Sequence, residues 1–351
     1  MKQIRLYILL FTLMQTASCS KDYLNKIPLD QQTEATSFQT YENFKTYAWG
    51  LYDLFDGYGQ GPILNTATFL FEEANSDNLC YTASVNSNEW AYQLKTIPSS
   101  GGDWDFSFIR RVNIMLDNID KSAMSATDKD HWKSVGYLFR SGRYMQLLSK
   151  FGDVPWLEHV VKDSDQDILY AARTSRDIVA QNILDNLLWA EAHIKPAGDG
   201  ANTVNVHVVR ALISRFGLFE GTWRKYRGLS NAEIYLQASV TASAKLAADF
   251  PGLSADYDQI FNSEDLAGKS GIILYRSYAA GQNVHGVQRY LRSSEWYFDL
   301  SKDAVESYLC RDGKPISTSS LYAGDVSIND EFRYRDRRLY LTVLPPYRVF
   351  T

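Results

Sequence analysis

Cysteine is scarce in this sequence, three in 351 residues, and no two of them form a CxxC pair. Cys80 and Cys310 lie far apart, which leaves a single disulfide open and excludes a disulfide framework. The five histidines, His131, His159, His193, His207 and His285, have no paired ligand spacing, so a structural zinc site has nothing to be built from. A basic surplus is also missing. Net charge is −5, and the basic residues are scattered apart from a short run at Arg333–Arg338. Nucleic acid is therefore an unsuitable partner, because phosphate binding needs a concentrated basic face. Beyond the N-terminus, no uncharged apolar run approaches the roughly 20 residues of a membrane-crossing helix.

Catalytic signatures are absent as well. There is no GxSxG elbow and no HExxH helix. Gly268-Lys269-Ser270 looks like the end of a phosphate loop, but Ser263 stands where that loop requires glycine. Gly57-x-Gly59-x-Gly61 follows a helix instead of a strand and runs into Pro62, which does not suit dinucleotide binding. Glu72, Glu73 and Asp77 lie close together. A glycosidase needs two carboxyls about 5 Å or about 6.5–9.5 Å apart across one bond, a distance that linear spacing does not specify. Solvated or capping carboxylates are the plainer reading. We expect no catalytic residue, no cofactor and no metal.

What the chain has in quantity is aromatic surface: 23 Tyr, 17 Phe and 8 Trp, 14% of all residues. Tyr and Trp combine a flat apolar face with a polar tip, which suits both a core and a partly wet recognition surface. With 45% hydrophobic and 22% charged residues, the balance is that of a globular chain.

The N-terminus gives a location. Lys2 and Arg5 precede the apolar run Leu6 to Met14, which is too short to span a bilayer, and Thr16-Ala17-Ser18 supplies small residues for cleavage. Cys19 follows at once. The pattern reads as an export signal over 1–18, with Cys19 as the lipidation site of a bacterial lipoprotein and 19–40 as a polar tether. Thr16 departs from the bulky aliphatic residue usual three positions before such a cysteine. Lipid attachment would hold a soluble body at a membrane surface.

From Tyr41 helices dominate. Phe44, Tyr47, Ala48, Leu51 and Phe55 fall on one helical face. Trp104, Phe108, Val112, Met115 and Ile119 form a second stripe. A third helix starts near Thr127, carries Trp132, Val135, Leu138, Gly142 and Met145, and stops at Phe151-Gly152-Asp153-Val154-Pro155. Thr174-x-x-Asp177 and Ser230-x-x-Glu233 read as capping boxes. The first would open a helix with Ile183, Leu184, Leu187, Leu188 and Ile194 inward. The second would open one carrying Val240, Ala244, Ala247 and Ala248 and ending at Phe250-Pro251-Gly252. Between them Val208 to Glu220 is a further striped helix, with Ala211 and Gly217 on its surface. Small residues on consecutive helices permit close approach, as in tetratricopeptide hairpins, although no 34-residue period is legible. After Pro251 the texture becomes loop-rich, and Gly271-Ile272-Ile273-Leu274-Tyr275 reads as a strand. The expected fold is mostly α, tetratricopeptide-like stacked helical hairpins with a loop-rich lobe containing short strands.

Several stretches together resemble one family. "CSKDYLNKIP" after the signal, "WDFSFIRRVNIMLDNID" (104–120), "FRSGRYMQLLSKFGDVPWLEH" (139–159), "VVRALISRFGLFEGTWRKY" (208–226), "SKDAVESYLCRDGKPI" (301–316) and "INDEFRYRDRRLYLTVLPP" (328–346) are similar to the SusD/RagB outer-membrane nutrient-binding lipoproteins of Bacteroidetes, in the family's order. The Phe-Gly-Asp-Val-Pro turn and Arg335-Asp336-Arg337-Arg338-Leu339 carry most of this likeness, though the latter lacks the common proline. The resemblance implies a non-catalytic, lipid-anchored binder of the outer membrane, exposed at the cell surface, that captures oligosaccharide or polysaccharide for a SusC-type TonB-dependent transporter. It divides the chain into a SusD-like helical region, 41–252, and the start of the SusD/RagB C-terminal region, 253–351. Family chains run well past the Arg335–Leu339 stretch, so the resemblance also implies a C-terminally incomplete chain. A peptide or other nutrient binder in the same position, and a lipid-anchored glycoside hydrolase, are the alternatives.

Sugar recognition needs flat aromatic platforms beside short polar side chains. Most aromatics here sit on helical stripes. The exceptions lie in polar, turn-rich segments: Tyr81, Trp90 and Tyr92 with Asn86 and Asn88, and Tyr278, Tyr290, Trp296 and Tyr297 with Gln282, Asn283 and Arg292. The candidate glycan-binding residues are therefore Trp90, Tyr92, Tyr81, Asn88, Trp296, Tyr297, Tyr278 and Tyr290. The family's platforms come from comparable loops, with no fixed motif to assign individual contacts.

Overall fold

A computed structural model describes residues 37–59, 73, 76–81, 102–287 and 298–344. Among them the chain forms α1 (Tyr41–Trp49) running into a 3-10 segment (Gly50–Leu54), β1 (Leu79–Tyr81), α2 (Ser107–Ile119), α3 (Ala126–Phe151), α4 (Gln166–Leu169), α5 (Arg176–His193), α6 (Val206–Tyr226), α7 (Ala232–Asp249), α8 (Tyr257–Asn262), β2 (Phe298–Leu300), α9 (Lys302–Ser307), α10 (Ile328–Glu331) and α11 (Arg337–Thr342). The mostly helical expectation holds.

The long helices pack in chain order, α2 on α3, α3 on α5, α5 on α6 and α6 on α7, as stacked hairpins should. Their shared core contains Ile109, Val112, Met115, Leu138, Phe139, Leu147, Ile183, Leu187, Ile213 and Phe216. Full burial of each such side chain contributes about 1.5–3 kcal/mol. Small residues set the spacing. A methyl group built at Gly136 would lie 2.5 Å from Leu116, and one at Gly221 would lie 2.7 Å from Leu236. At Gly217 it would collide with the Tyr235 carbonyl and lie 2.9 Å from the Ser239 amide nitrogen. Gly217 is thus buried at the closest part of the α6–α7 contact instead of lying on a free surface.

Charged groups lock the stack from within. Glu220, fully buried, accepts from Arg176 (Nη2, 2.5 Å) and Arg224 (Nε, 2.8 Å), and Arg224 reaches Asp177 at 2.7 Å. A buried carboxylate survives only with such partners. Nearer the surface Glu191 of α5 accepts from Arg210 of α6 (2.8 Å) and Lys245 of α7 (2.7 Å).

Both expected capping boxes are corrected. α5 begins after Ser175, which makes no side-chain cap. Thr174 Oγ1 instead accepts from the Trp156 amide, and Asp153 accepts from the Arg176 amide at 2.7 Å. α7 begins after Asn231, which is left-handed (φ 64°) and makes no side-chain cap. A cap hydroxyl needs an extended residue at that position, and the short α6–α7 turn does not provide one.

One burial expectation is also corrected. Leu188 is 43% exposed. α7 presents Ala232, Tyr235, Ser239 and Ala242 inward, leaving Val240, Ala244, Ala247 and Ala248 exposed. Trp104 precedes α2 and rests edge-on against Phe151 (ring centroids 5.0 Å).

The two most family-like stretches turn out to be structural. Gly152 (φ 69°) ends α3 by donating to the Leu148 carbonyl, Asp153 caps α5, and Val154 bridges Thr174. Arg335 is fully buried. It donates to Glu331 and to the carbonyls of Val305 and Tyr308, while Asp336 caps α11.

The strand expected at Gly271–Tyr275 is corrected. Gly271–Tyr275 is irregular, because no strand lies beside it among the described residues. The Asn202 side chain does part of that work, donating to the Tyr275 carbonyl (2.8 Å) and accepting from its amide (3.0 Å). The one sheet among the described residues pairs β1 with β2 antiparallel, Cys80 opposite Asp299. Cys80 and Cys310 are free thiols, so the open disulfide is not formed. No described helix is long and apolar enough to cross a membrane.

Candidate functional site

Helix α6 carries Val208, Ala211, Leu212 and Arg215 at i, i+3, i+4 and i+7, a spacing that places all four on one face. That face forms one wall of an open groove of about 730 Å³. The end of α1, the 3-10 segment and the residue that follows it supply Trp49, Tyr52, Asp53 and Phe55, and residues 271–277 form the third wall. The walls are pinned to one another. Tyr52 accepts from the Val204 amide through its hydroxyl (2.7 Å), Arg276 donates to the Phe55 carbonyl (2.9 Å), and Asn202 holds Tyr275 as described. The groove is therefore preformed, which lowers the ordering cost of binding. Trp49 is 55% exposed there. It lies off the buried stripe of α1, whose inward residues are Phe44 and Ala48.

Beside the groove Tyr58, Tyr278 and His285 form an aromatic group. Tyr278 stacks on Tyr58 (6.0 Å, 28°) and meets His285 edge-on (4.6 Å). Its hydroxyl accepts from the Tyr58 amide (2.6 Å) and donates to the Gly59 carbonyl (3.1 Å). Burial raises the Tyr278 hydroxyl and lowers His285 from their ordinary values. Burial likewise raises Asp56, against the pull of Arg276. Of the sequence candidates, Tyr278 is thus a strut whose hydroxyl is used by backbone. Asn283 has a similar role, its side chain donating to the Ser277 carbonyl.

Tyr81 is placed in β1 by its backbone. Trp90, Tyr92, Asn88, Trp296, Tyr297, Tyr290 and Cys19 lie outside the described residues. Glu72 does too, while Glu73 accepts from Ser76 and Asn78, the turn-capping role expected of it. Sequence reasoning missed Trp49, Asn202 and Arg215. An off-stripe tryptophan and an arginine one turn beyond Leu212 were the available signals.

One carboxylate cluster could attract a cation. Glu306, Asp325 and Glu331 lie within reach of a common ion. The cluster already holds cationic side chains: Lys302 pairs with Glu306 and Asp325, and Arg335 with Glu331.

The whole arrangement can be compared with solved structures. A SusD-like carbohydrate-binding protein from Bacteroides fragilis matches over 87% of this chain with a TM-score of 0.66 at 17% identity. A second SusD-like protein from the same species matches over 90%, with a TM-score of 0.67 at 18% identity. The fold is SusD-like. A SusD superfamily protein from Bacteroides vulgatus also matches, over 77% of the chain, with a TM-score of 0.55 at 15% identity. The chain spans 60%, 63% and 62% of the length of these three SusD-like structures. No protein-family model and no curated protein matches the chain.

Proposed function

We propose that this protein is a non-catalytic, lipid-anchored glycan-binding protein of the outer membrane that captures oligosaccharide at the cell surface. On this reading residues 1–18 are removed, Cys19 carries the lipid, and 19–40 tether the body formed by 41–252 and 253–351. The captured sugar passes to a SusC-type TonB-dependent transporter. The SusD-like fold carries the reading, because a structure sharing it is a carbohydrate-binding protein. The preformed groove with its exposed tryptophan adds support, since an indole face suits the apolar face of a pyranose ring. On this reading Trp90, Tyr92, Asn88, Trp296, Tyr297 and Tyr290 supply further aromatic and amide groups.

Affinity electrophoresis of the full-length protein against plant, host and microbial polysaccharides tests this. The expected result is retardation by at least one polysaccharide without release of reducing ends, weakened in Trp90→Ala or Trp296→Ala variants that keep their circular dichroism. Released reducing ends would instead establish a hydrolase, and retention of peptides alone would establish a peptide binder.

A further inference from the structure

The groove described above is apolar along α6 up to Arg215, where a charge interrupts the stripe. The other arginines of α6 named so far are committed: Arg210 pairs with Glu191 and Asp249, and Arg224 with Glu220 and Asp177. Arg215 is exposed and, among the described residues, its guanidinium has neither an ion-pair nor a hydrogen-bond partner. The remaining charged groups lining the groove are answered. Asp53 faces Arg111 at 3.8 Å, and Arg276 donates to the Phe55 and Asp56 carbonyls. The groove thus presents one guanidinium without a partner among the described residues, together with the exposed indole of Trp49.

Those two groups favour a particular ligand. A guanidinium fork matches a carboxylate with two parallel hydrogen bonds, and charge-assisted bonds are about twice as strong as neutral ones. An indole face covers the C–H face of a sugar ring. We propose that this groove binds an acidic sugar residue, its carboxylate on Arg215 and its ring against Trp49. The proposal rests on the glycan-binding reading and adds the class of sugar. Preformed walls mean that the ligand meets Arg215 and Trp49 without ordering a loop.

Affinity electrophoresis of the full-length protein with polygalacturonate, with its fully methyl-esterified neutral form and with polyglutamate separates the outcomes. Retardation by polygalacturonate should exceed that by the methyl ester about tenfold, the scale of one charge-assisted bond. Arg215→Gln should abolish that preference, Arg215→Lys should restore part of it, and Trp49→Ala should weaken retention of both sugar polymers, with circular dichroism unchanged throughout. Equal retention of the two sugar polymers, or a preference that survives Arg215→Gln, overturns the proposal; neutral-glycan capture would then still uphold the general reading. Retention of polyglutamate without polygalacturonate overturns it in favour of an acidic peptide. No retention of any polysaccharide overturns both readings together.

Discussion

His131 has no exposed surface, yet it is a titratable ring inside the core. Its Nδ1 accepts from the Lys195 amide at 3.3 Å, so Nε2 carries the proton, and that N–H has no partner among the described residues. Adding a second proton would aim Nδ1–H at an N–H. Burial, helped by Lys195 and opposed by Asp199 and Asp128, lowers the ring from 6.5 to about 4. Between those values the unfolded chain binds a proton that the folded chain refuses, so stability falls as pH drops from above 6.5 toward 4. By this linkage we expect a loss of about 2 kcal/mol between pH 7.5 and pH 5. Urea titrations at the two pH values check it: His131→Phe should show a smaller loss than the wild type, and equal losses would refute the assignment. At this scale the sequence was partly readable. Tyr278 stood out as a loop aromatic, but only the backbone partners of its hydroxyl reveal a strut. Trp49 was inconspicuous because an aromatic beside a buried stripe looks like part of it.

Elements were easier to place than to orient. Stop signals such as Gly152 ended α3 where expected, because a left-handed residue after the last turn is a local requirement. The phase of α7 was not legible. Its Ala, Ser and Thr residues offer little contrast between faces, and the side that turns inward is chosen by the glycines of α6. That gives a test. Gly217→Val should push the Tyr235 carbonyl, and α7 with it, away from α6 and cost roughly 1–3 kcal/mol, the usual scale of overpacking. A denaturant midpoint equal to that of the wild type would show that the contact is looser than described. Capping was misread for a related reason. Thr174 has the right spacing to Asp177, but the tertiary neighbours Trp156 and Asp153 compete for the same groups. A pattern four residues long contains no information about them.

Across the whole molecule, contacts fall into two classes. The helical stack is held by neighbours in the chain, whereas the groove is closed by partners far apart: Asn202 and Tyr275 are 73 residues distant, and Tyr58 and Tyr278 are 220. The sheet likewise joins Leu79 to Leu300. The stack was legible because helical periodicity is local; the closures were not, because a single asparagine replaces a strand and leaves no repeating signal. Local contacts form quickly, and distant ones must first overcome loop-closure entropy. The Asn202–Tyr275 clasp therefore divides the molecule in time as well as in space. During synthesis the stack can consolidate before the third wall has been made. In the finished protein the same clasp should be the first part to breathe. The amide of Tyr275 should then exchange with deuterium far sooner than those of Leu138 or Leu147 in α3, and Asn202→Ala should hasten Tyr275 while leaving α3 unchanged.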